Sequence, residues 1–451
     1  MALEKNQVSN VIFADYSGGI NVSVAPQLLA ENEYQQIRNM EFDYNILKTR
    51  GGVSAALSSY PADIKSVFWD MATNCYLVCL KDGSVYEENL SGLHNKVGTL
   101  SGKKSVSYCK FDGKIFVASG GKLQYYDYAG HSLTTIEASY LSDIVFERMG
   151  RLVTSMQGDD NLYYSAVGDP YETGWEEDSN RDDSSKFVEI GYKDDGDIMK
   201  VLPMSGDIIV LKSNGSIYAL SGEYPSWTVQ MVASNIDLIS ADSITWLDNQ
   251  VCYLTNKGLN VLQPTQAYGN YSTNLNVGRK FNKLIVEKLA NPVMCNAVRK
   301  HQLLVQPDSA DKGYVICYQY DLGAAITFRF PLEISCIVDT ENGVIFAAGK
   351  SLYRWDKRYV NDLGNTPIEQ EIVTRKFDSS RQLFTRQVDV GVNGTEGGVV
   401  ELLWADKTLK YTIKNKRRVL KVFSVCRDGV FRVRTQDNVA FEYIKFYLFE
   451  K

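Results

Sequence analysis

Histidine is almost missing from this chain: its 451 residues include His94, His131 and His301, with no two close together. A His-based metal site or a His-dependent triad has little to draw on. The eight cysteines (Cys75, Cys79, Cys109, Cys252, Cys295, Cys317, Cys336, Cys426) form no CxxC pair and no zinc spacing. Scattered through apolar runs such as 76–80 and 314–320, they read as reduced, buried, small apolar residues. No GxGxxG follows a strand-like run and there is no P-loop, so nucleotide chemistry lacks its usual phosphate cradle. No stretch approaches the roughly 18–20 uncharged apolar residues of a membrane span. The first ten residues lack the apolar core of a signal peptide, so the expectation is a product that starts in the cytoplasm. No cofactor, metal or catalytic residue is assigned from these patterns.

What is present is core material. The chain is 44% hydrophobic and 23% charged, which excludes global disorder. Its formal charge of -6 argues against a surface that grips nucleic acid all over, while leaving room for a local basic patch.

The organisation is repetitive. From about residue 64 to 356, short β-rich runs follow one plan: a first strand, a tight polar turn, a very apolar strand, a Gly or Asn turn, and a Tyr-rich amphipathic strand. The turns after the first strands read Asp112-Gly113-Lys114, Met149-Gly150-Arg151, Ser205-Gly206-Asp207, Asp248-Asn249-Gln250, Lys300-His301-Gln302 and Asn342-Gly343-Val344. Their spacing of about 37–56 residues suits blades of four antiparallel strands, and the unit at 64–89 brings the number to seven. The predicted fold is all-β: a β-propeller of about seven blades (61–365), an extended N-terminal arm (1–60) and a C-terminal β-sandwich-like domain (366–451). The run 46–56, around Arg50-Gly51-Gly52-Val53, is expected to give the last blade a closing strand. A stack of β-sandwiches is the other architecture this pattern admits.

Charge is unevenly distributed. Residues 368–451 hold 16 Lys and Arg against 11 Asp and Glu, or +5, leaving -11 for residues 1–367. Five of those positives, Lys414, Lys416, Arg417, Arg418 and Lys421, fall within eight residues. They read either as a contact for phosphate or a protein partner, or as a solvated hairpin. Acidic residues crowd 172–197, expected to be an insertion in the propeller. Among them, Glu176, Glu177, Asp178, Asp182 and Asp183 are candidates for a channel or mouth loop. Their spacing fits no Ca²⁺ loop, and a solvated loop is the plainer reading.

Two stretches carry a resemblance. The first runs Asp15-Tyr16-Ser17-Gly18-Gly19-Ile20-Asn21, then Ile37-Arg38-Asn39-Met40, then Leu47-Lys48-Thr49-Arg50-Gly51-Gly52. The second is Tyr164-Ser165, then Gly168-Asp169-Pro170, followed by Trp175. Together they resemble propeller proteins of tailed bacteriophages, in which such an arm leads into a propeller forming the tail nozzle or DNA-stabilising plug below the portal. The C-terminal domain has no motif matching that group. The resemblance implies a structural virion protein of the tail, assembled in the host cytoplasm. Its copies would form a cyclic oligomer, a hexamer, against a portal-adjacent adaptor ring and other tail proteins, and double-stranded DNA would pass transiently during ejection. It implies structural roles for Arg50, Gly51, Gly52, Gly168, Asp169, Pro170 and Trp175. Two other classes stand beside it: a cellular propeller scaffold for peptides, and a propeller glycan hydrolase or lyase using acids such as Glu176, Glu177 or Asp178.

Overall fold

The computed structural model describes residues 7–450 apart from 45, 157, 177–185, 223–225, 266–270, 275–276, 395, 405–406 and 414–416. Side chains are also not described at 7–10, 377–384, 386, 407, 411, 417–428 and 448–450. The chain is an all-β protein built on a seven-bladed propeller. Blade 1 comprises strands Ile64–Asp70, Cys75–Leu80, Ser84–Glu88 and His94–Thr99, hydrogen-bonded in that order. Blades 2 to 6 begin at Ser107, Leu141, Ile198, Ile244 and Val293, and blade 7 spans Ile334–Asp356.

The tight turns explain the repeat. Asp112 and Gly113, Met149 and Gly150, Ser205 and Gly206, and Asp248 and Asn249 all have positive φ. Two consecutive left-handed residues match the twist of antiparallel strands, and Gly, Asn and Asp enter that conformation most readily. The strand after each turn is buried on both faces, as along Cys75–Leu80, Asp207–Lys212 and Gln302–Gln306. Each blade face packs on a neighbour, so these strands read as continuous apolar runs rather than alternating ones. Leu77 and Cys79 meet Ile115 and Val117 between blades 1 and 2, and Ile209 and Leu211 meet Val251 and Tyr253 between blades 4 and 5. Ile64, Val67 and Val78 meet Ile345 and Leu352 between blades 1 and 7, which closes the ring.

The closing strand comes from the arm, but over 52–53 and 58–59 rather than 46–56. Gly52 and Val53 pair with Asp356 and Trp355, and Ser58 and Ser59 with Leu352 and Ser351. The segment Ile46–Thr49 instead forms a hairpin with Met40–Asp43. Part of the acidic segment is also regular structure, because Lys186–Glu189 is the outermost main strand of blade 3.

After the propeller the strands lengthen. Gln370–Gly394 pairs with Arg417–Thr435 and with Val439–Glu450 through several register shifts. The arm is woven into these strands. Gln7–Phe13 pairs with Ile444–Phe449, and Gln36–Arg38 lies between blade 6, where Arg38 meets Thr327, and Glu371–Val373. One sheet therefore runs from blade 6 through the arm into the C-terminal strands. Their shared core stacks Trp404, Phe431 and Phe446, and includes Phe13 and Ile37 from the arm.

Candidate functional site

The residues of the first stretch converge on the joint between arm, propeller and C-terminal strands. Arg50 is its centre. Its side chain is fully buried, and all five guanidinium N–H groups have acceptors. Nε donates to Asn39 Oδ1 (3.0 Å), and Nη1 to Gly51 O (2.8 Å) and Asp362 Oδ1 (2.9 Å). Nη2 donates to Arg329 O (2.9 Å) and Asp362 Oδ2 (2.6 Å), and the ring of Phe330 lies 4.2 Å below the guanidinium carbon. Such a bidentate pair has a fixed planar geometry, so Arg50 sets the angle between blades 6 and 7 and the segment leaving the propeller. Asp362 also accepts the N–H of Val53, tying the closing strand to the same carboxylate.

Gly51 and Gly52 follow because nothing larger fits. A Cβ on Gly51 would lie 2.6 Å from the carbonyl of Asp356, and one on Gly52 would collide with the carbonyl of Asn361. Asn39 sits in the left-handed region and spends its amide on both sides of the joint. Its Oδ1 accepts from Arg50 and from the N–H of Arg329, while its Nδ2 donates to Glu369 O (2.7 Å). Gly19 has φ 61°, and the adjacent N–H of Ile20 bonds the carbonyl of Ala325 in blade 6. Glu371, almost fully buried, gathers Arg434 (2.8 Å), Arg432 (3.3 Å) and Arg38 (3.6 Å) at the same joint.

The second stretch closes a loop of blade 3. Asp169 accepts from the Tyr171 N–H (3.1 Å) and the Thr173 hydroxyl (2.6 Å), and the N–H of Gly168 (φ 69°) bonds Gly150 O. Trp175 Nε1 donates to Pro170 O (3.0 Å) while its ring is buried between blades 2 and 3. Trp175 thus pins the loop against the ring.

The acidic residues divide. Glu176 is exposed, whereas Glu177, Asp178, Asp182 and Asp183 lie outside the described residues. Two further acids of that segment serve the fold. Glu172 accepts the N–H groups of Glu137 and Ala138, and Asp194 pairs with the buried Lys212 and accepts from Tyr218 (2.7 Å). Burial raises the Asp194 carboxyl, but the Lys212 and Tyr218 donors outweigh it and hold the group below the usual range. Within the basic cluster, Arg417, Arg418 and Lys421 stand opposite Gly391, Val390 and Gln387 on a C-terminal strand. Lys414 and Lys416 lie outside the described residues.

Polar groups also knit the inner strands around the propeller axis. Tyr108 of blade 2 bonds Ser66 of blade 1 (2.6 Å) and stacks on Phe68 (5.2 Å), and Arg299 of blade 6 lies 5.9 Å from the Trp69 ring of blade 1. Cys79, within 3.2 Å of the Tyr108 hydroxyl, is pushed up to about 11 by burial and stays a thiol; Cys336 rises to about 11 for the same reason. The seven described cysteines are free. Among the described residues no group of three His, Cys, Asp or Glu side chains is arranged to hold a metal, and no helix is long and apolar enough to cross a membrane.

Asp70, buried at the end of the first inner strand, joins blades 1 and 2. It accepts from Lys110 (2.6 Å), Thr73 (2.7 Å) and Tyr128 (2.8 Å). Burial raises its carboxyl, yet these donors hold it below the ordinary value. A depressed folded pKa means stability that is present above the unfolded value of about 3.9 and lost as pH falls through the folded one. Lys110→Met should therefore cost about 1 kcal/mol at pH 7, given the half-exposed lysine. The deficit should be smaller at about pH 3 and go on shrinking as pH falls through the depressed value at which folded Asp70 takes up its proton. Urea denaturation at both pH values checks this, and an undiminished deficit in acid would exclude the Asp70 charge as its source.

No protein-family model and no curated protein matches the chain. Its backbone is similar to solved structures at low identity. One is the extracellular domain assigned to a one component system of B. thetaiotaomicron (10% identity, TM-score 0.49), covering 90% of this chain and 63% of that one. This chain thus spans less than two thirds of that relative. Others are YCF48 from Cyanidioschyzon merolae (11%, TM-score 0.46, 68% and 99% covered) and the Swd1 β-propeller domain of Myceliophteria thermophila (8%, TM-score 0.46, 67% and 99%). The class, an all-β propeller, rests on the strand order and the ring of interblade cores described above.

Proposed function

We propose that the chain is a structural protein of a tailed-phage virion, a ring-forming nozzle or plug that retains packaged DNA and conducts it on ejection. The observation that carries this reading is the arm. Its Gly18-Gly19-Ile20-Asn21, Asn39-Met40 and Arg50-Gly51-Gly52 segments, which resemble that phage group, are the parts that lock it to blades 6 and 7 and the C-terminal strands. An arm built as a joint suits a mechanical part. The ring's axis, not the propeller's, is the DNA path: Arg299, just past the first strand of blade 6, reaches to 5.9 Å from the Trp69 ring of blade 1, two blades away, and a duplex whose major groove alone is about 12 Å wide does not fit beside such a contact. Retention needs weak, screened phosphate contacts, and Lys414, Lys416, Arg417, Arg418 and Lys421 are the cluster we assign to partner or DNA contact. The glycan-hydrolase reading rests on Glu176, which is exposed, and on Glu177 and Asp178, which lie outside the described residues.

The test is native mass, for the protein alone and mixed with a portal–adaptor complex. A discrete ring, or a ring formed only when the complex is added, supports the reading. A stable monomer indifferent to the complex overturns it in favour of an interaction scaffold. Replacing the five basic residues with Gln should flatten the salt dependence of assembly by up to about five counterions' worth of slope. Unchanged particles and unchanged genome retention would remove the cluster from the contact surface.

A further inference from the structure

Peripheral strands of a propeller leave one row of backbone N–H and C=O groups unpaired. Proteins normally protect such rows with charge or by keeping the strand short. Among the described residues, four outermost strands reach six residues or more: Gln7–Phe13, His94–Thr99, Thr228–Ala233 and Lys407–Thr412. Two carry lysine, Lys96 in one and Lys407 and Lys410 in another. The other two carry no charge, and neither do their surroundings, from Asn6 to Ala14 and from Trp227 to Asn235. Each also presents one large apolar residue to solvent: Ile12 is 50% exposed and Met231 is 51% exposed. Gln7–Phe13 pairs on one side with the C-terminal strand, and Thr228–Ala233 on one side with Ile217–Ser221 of blade 4. Their other sides have no strand partner among the described residues.

We propose that these two edges pair with each other between neighbouring copies, the N-terminal strand of one subunit extending blade 4 of the next in the register that sets exposed Ile12 opposite exposed Met231. This rests on the ring reading above and specifies its interface. The two edges suit one another: both lack charge, both have a free backbone row, and they lie on different parts of the molecule. Blade 4 stands two blades away from blade 6, where the arm and C-terminal strands attach. A contact between two different patches is heterologous, and repeated contacts of that kind generate closed rings when the rotation permits. Main-chain bonding supplies affinity in such strand addition, with side chains setting specificity.

The test uses the full chain with the portal–adaptor complex. Ile12→Cys with Met231→Cys should give an oxidised ladder of covalent oligomers, at least about tenfold stronger than either single variant, since only the paired edges bring the two thiols together. Ile12→Lys with Met231→Lys should lower the ring fraction about tenfold through like-charge opposition, and Ile12→Glu with Met231→Lys should restore it. Restoration separates the interface from misfolding, because both pairs place charges at the same exposed positions. Wild-type rings with no ladder, or rings untouched by the Lys pair, overturn the edge pairing and leave the ring reading standing. Wild-type protein that forms no ring overturns both.

Discussion

Replacing Arg50 by Met should lower the unfolding free energy by about 3–5 kcal/mol, the size expected when one partner of a buried ion pair is removed and the other remains. Asp362 is nearly inaccessible, and without Arg50 it keeps one backbone donor, the N–H of Val53. Five acceptors lose the Arg50 donor at once: both Asp362 oxygens, Asn39 Oδ1, and the Gly51 and Arg329 carbonyls. Most of the effect lies in the uncompensated carboxylate, so Arg50→Met combined with Asp362→Asn should cost clearly less than the sum of the single changes. The measurement is a double-mutant cycle by urea denaturation. Additive single effects would mean that the two residues stabilise the joint independently, and the ion pair would cease to be its centre.

The propeller was largely legible in the sequence because its signals are local. A pair such as Asp112-Gly113 or Ser205-Gly206 reports two left-handed residues directly, and an apolar run such as Ile208–Leu211 reports a strand packed on both faces. Neither needs knowledge of distant residues. The closing strand was legible in kind but placed too early, since Ile46–Thr49 carries the same β-forming residues and pairs elsewhere while the closing pairs run on to Ser59. The joint was legible only from one side. The Arg-Gly-Gly element stood out, but its carboxylate lies 312 residues further on, and no spacing links them. Glu371 with Arg38, Arg432 and Arg434 is the same kind of case: ordinary residues made special by a sheet that unites the two ends of the chain. The acidic segment misled for the opposite reason. Composition made it look like one loop, while strand pairing and Lys212 divide it among separate structural tasks.

The continuous sheet limits how such a part can move. Where Gln36–Arg38 pairs with both blade 6 and Glu371–Val373, rotation of the C-terminal strands would break backbone bonds on one side of the arm. The propeller and the C-terminal strands should therefore move as one body, and in the ring proposed above opening would fall between copies or in surface loops rather than at this joint.

Gly52→Ala tests the seam where that body closes. The added methyl meets the Asn361 carbonyl, with the oxygen of Tyr359 at 2.9 Å, and both obstacles are backbone. Side chains can turn away from a clash, whereas these carbonyls are held by Gly52 N–H bonding to Tyr359 O (2.6 Å) and by the neighbouring pairing with Asp356. The strand must therefore shift out of register, loosening the Trp355 Nε1 bond to Gly51 O and the Asp362 bond to Val53. Overpacking of this kind costs about 1–3 kcal/mol, and the rigid backbone places this site at the upper end. Gly113→Ala is the matched comparison: nothing lies within 4 Å of its Cβ, so it loses only the ease of a φ of 72°. That alone is worth about 1 kcal/mol. Thermal melts should rank Gly52→Ala well below Gly113→Ala, and limited proteolysis should newly cut between residues 54 and 63, where chain released from blade 7 becomes accessible. Equal melts with no new cleavage would show that the last blade holds without the arm, and that the ring is closed by the contact between blades 7 and 1 alone.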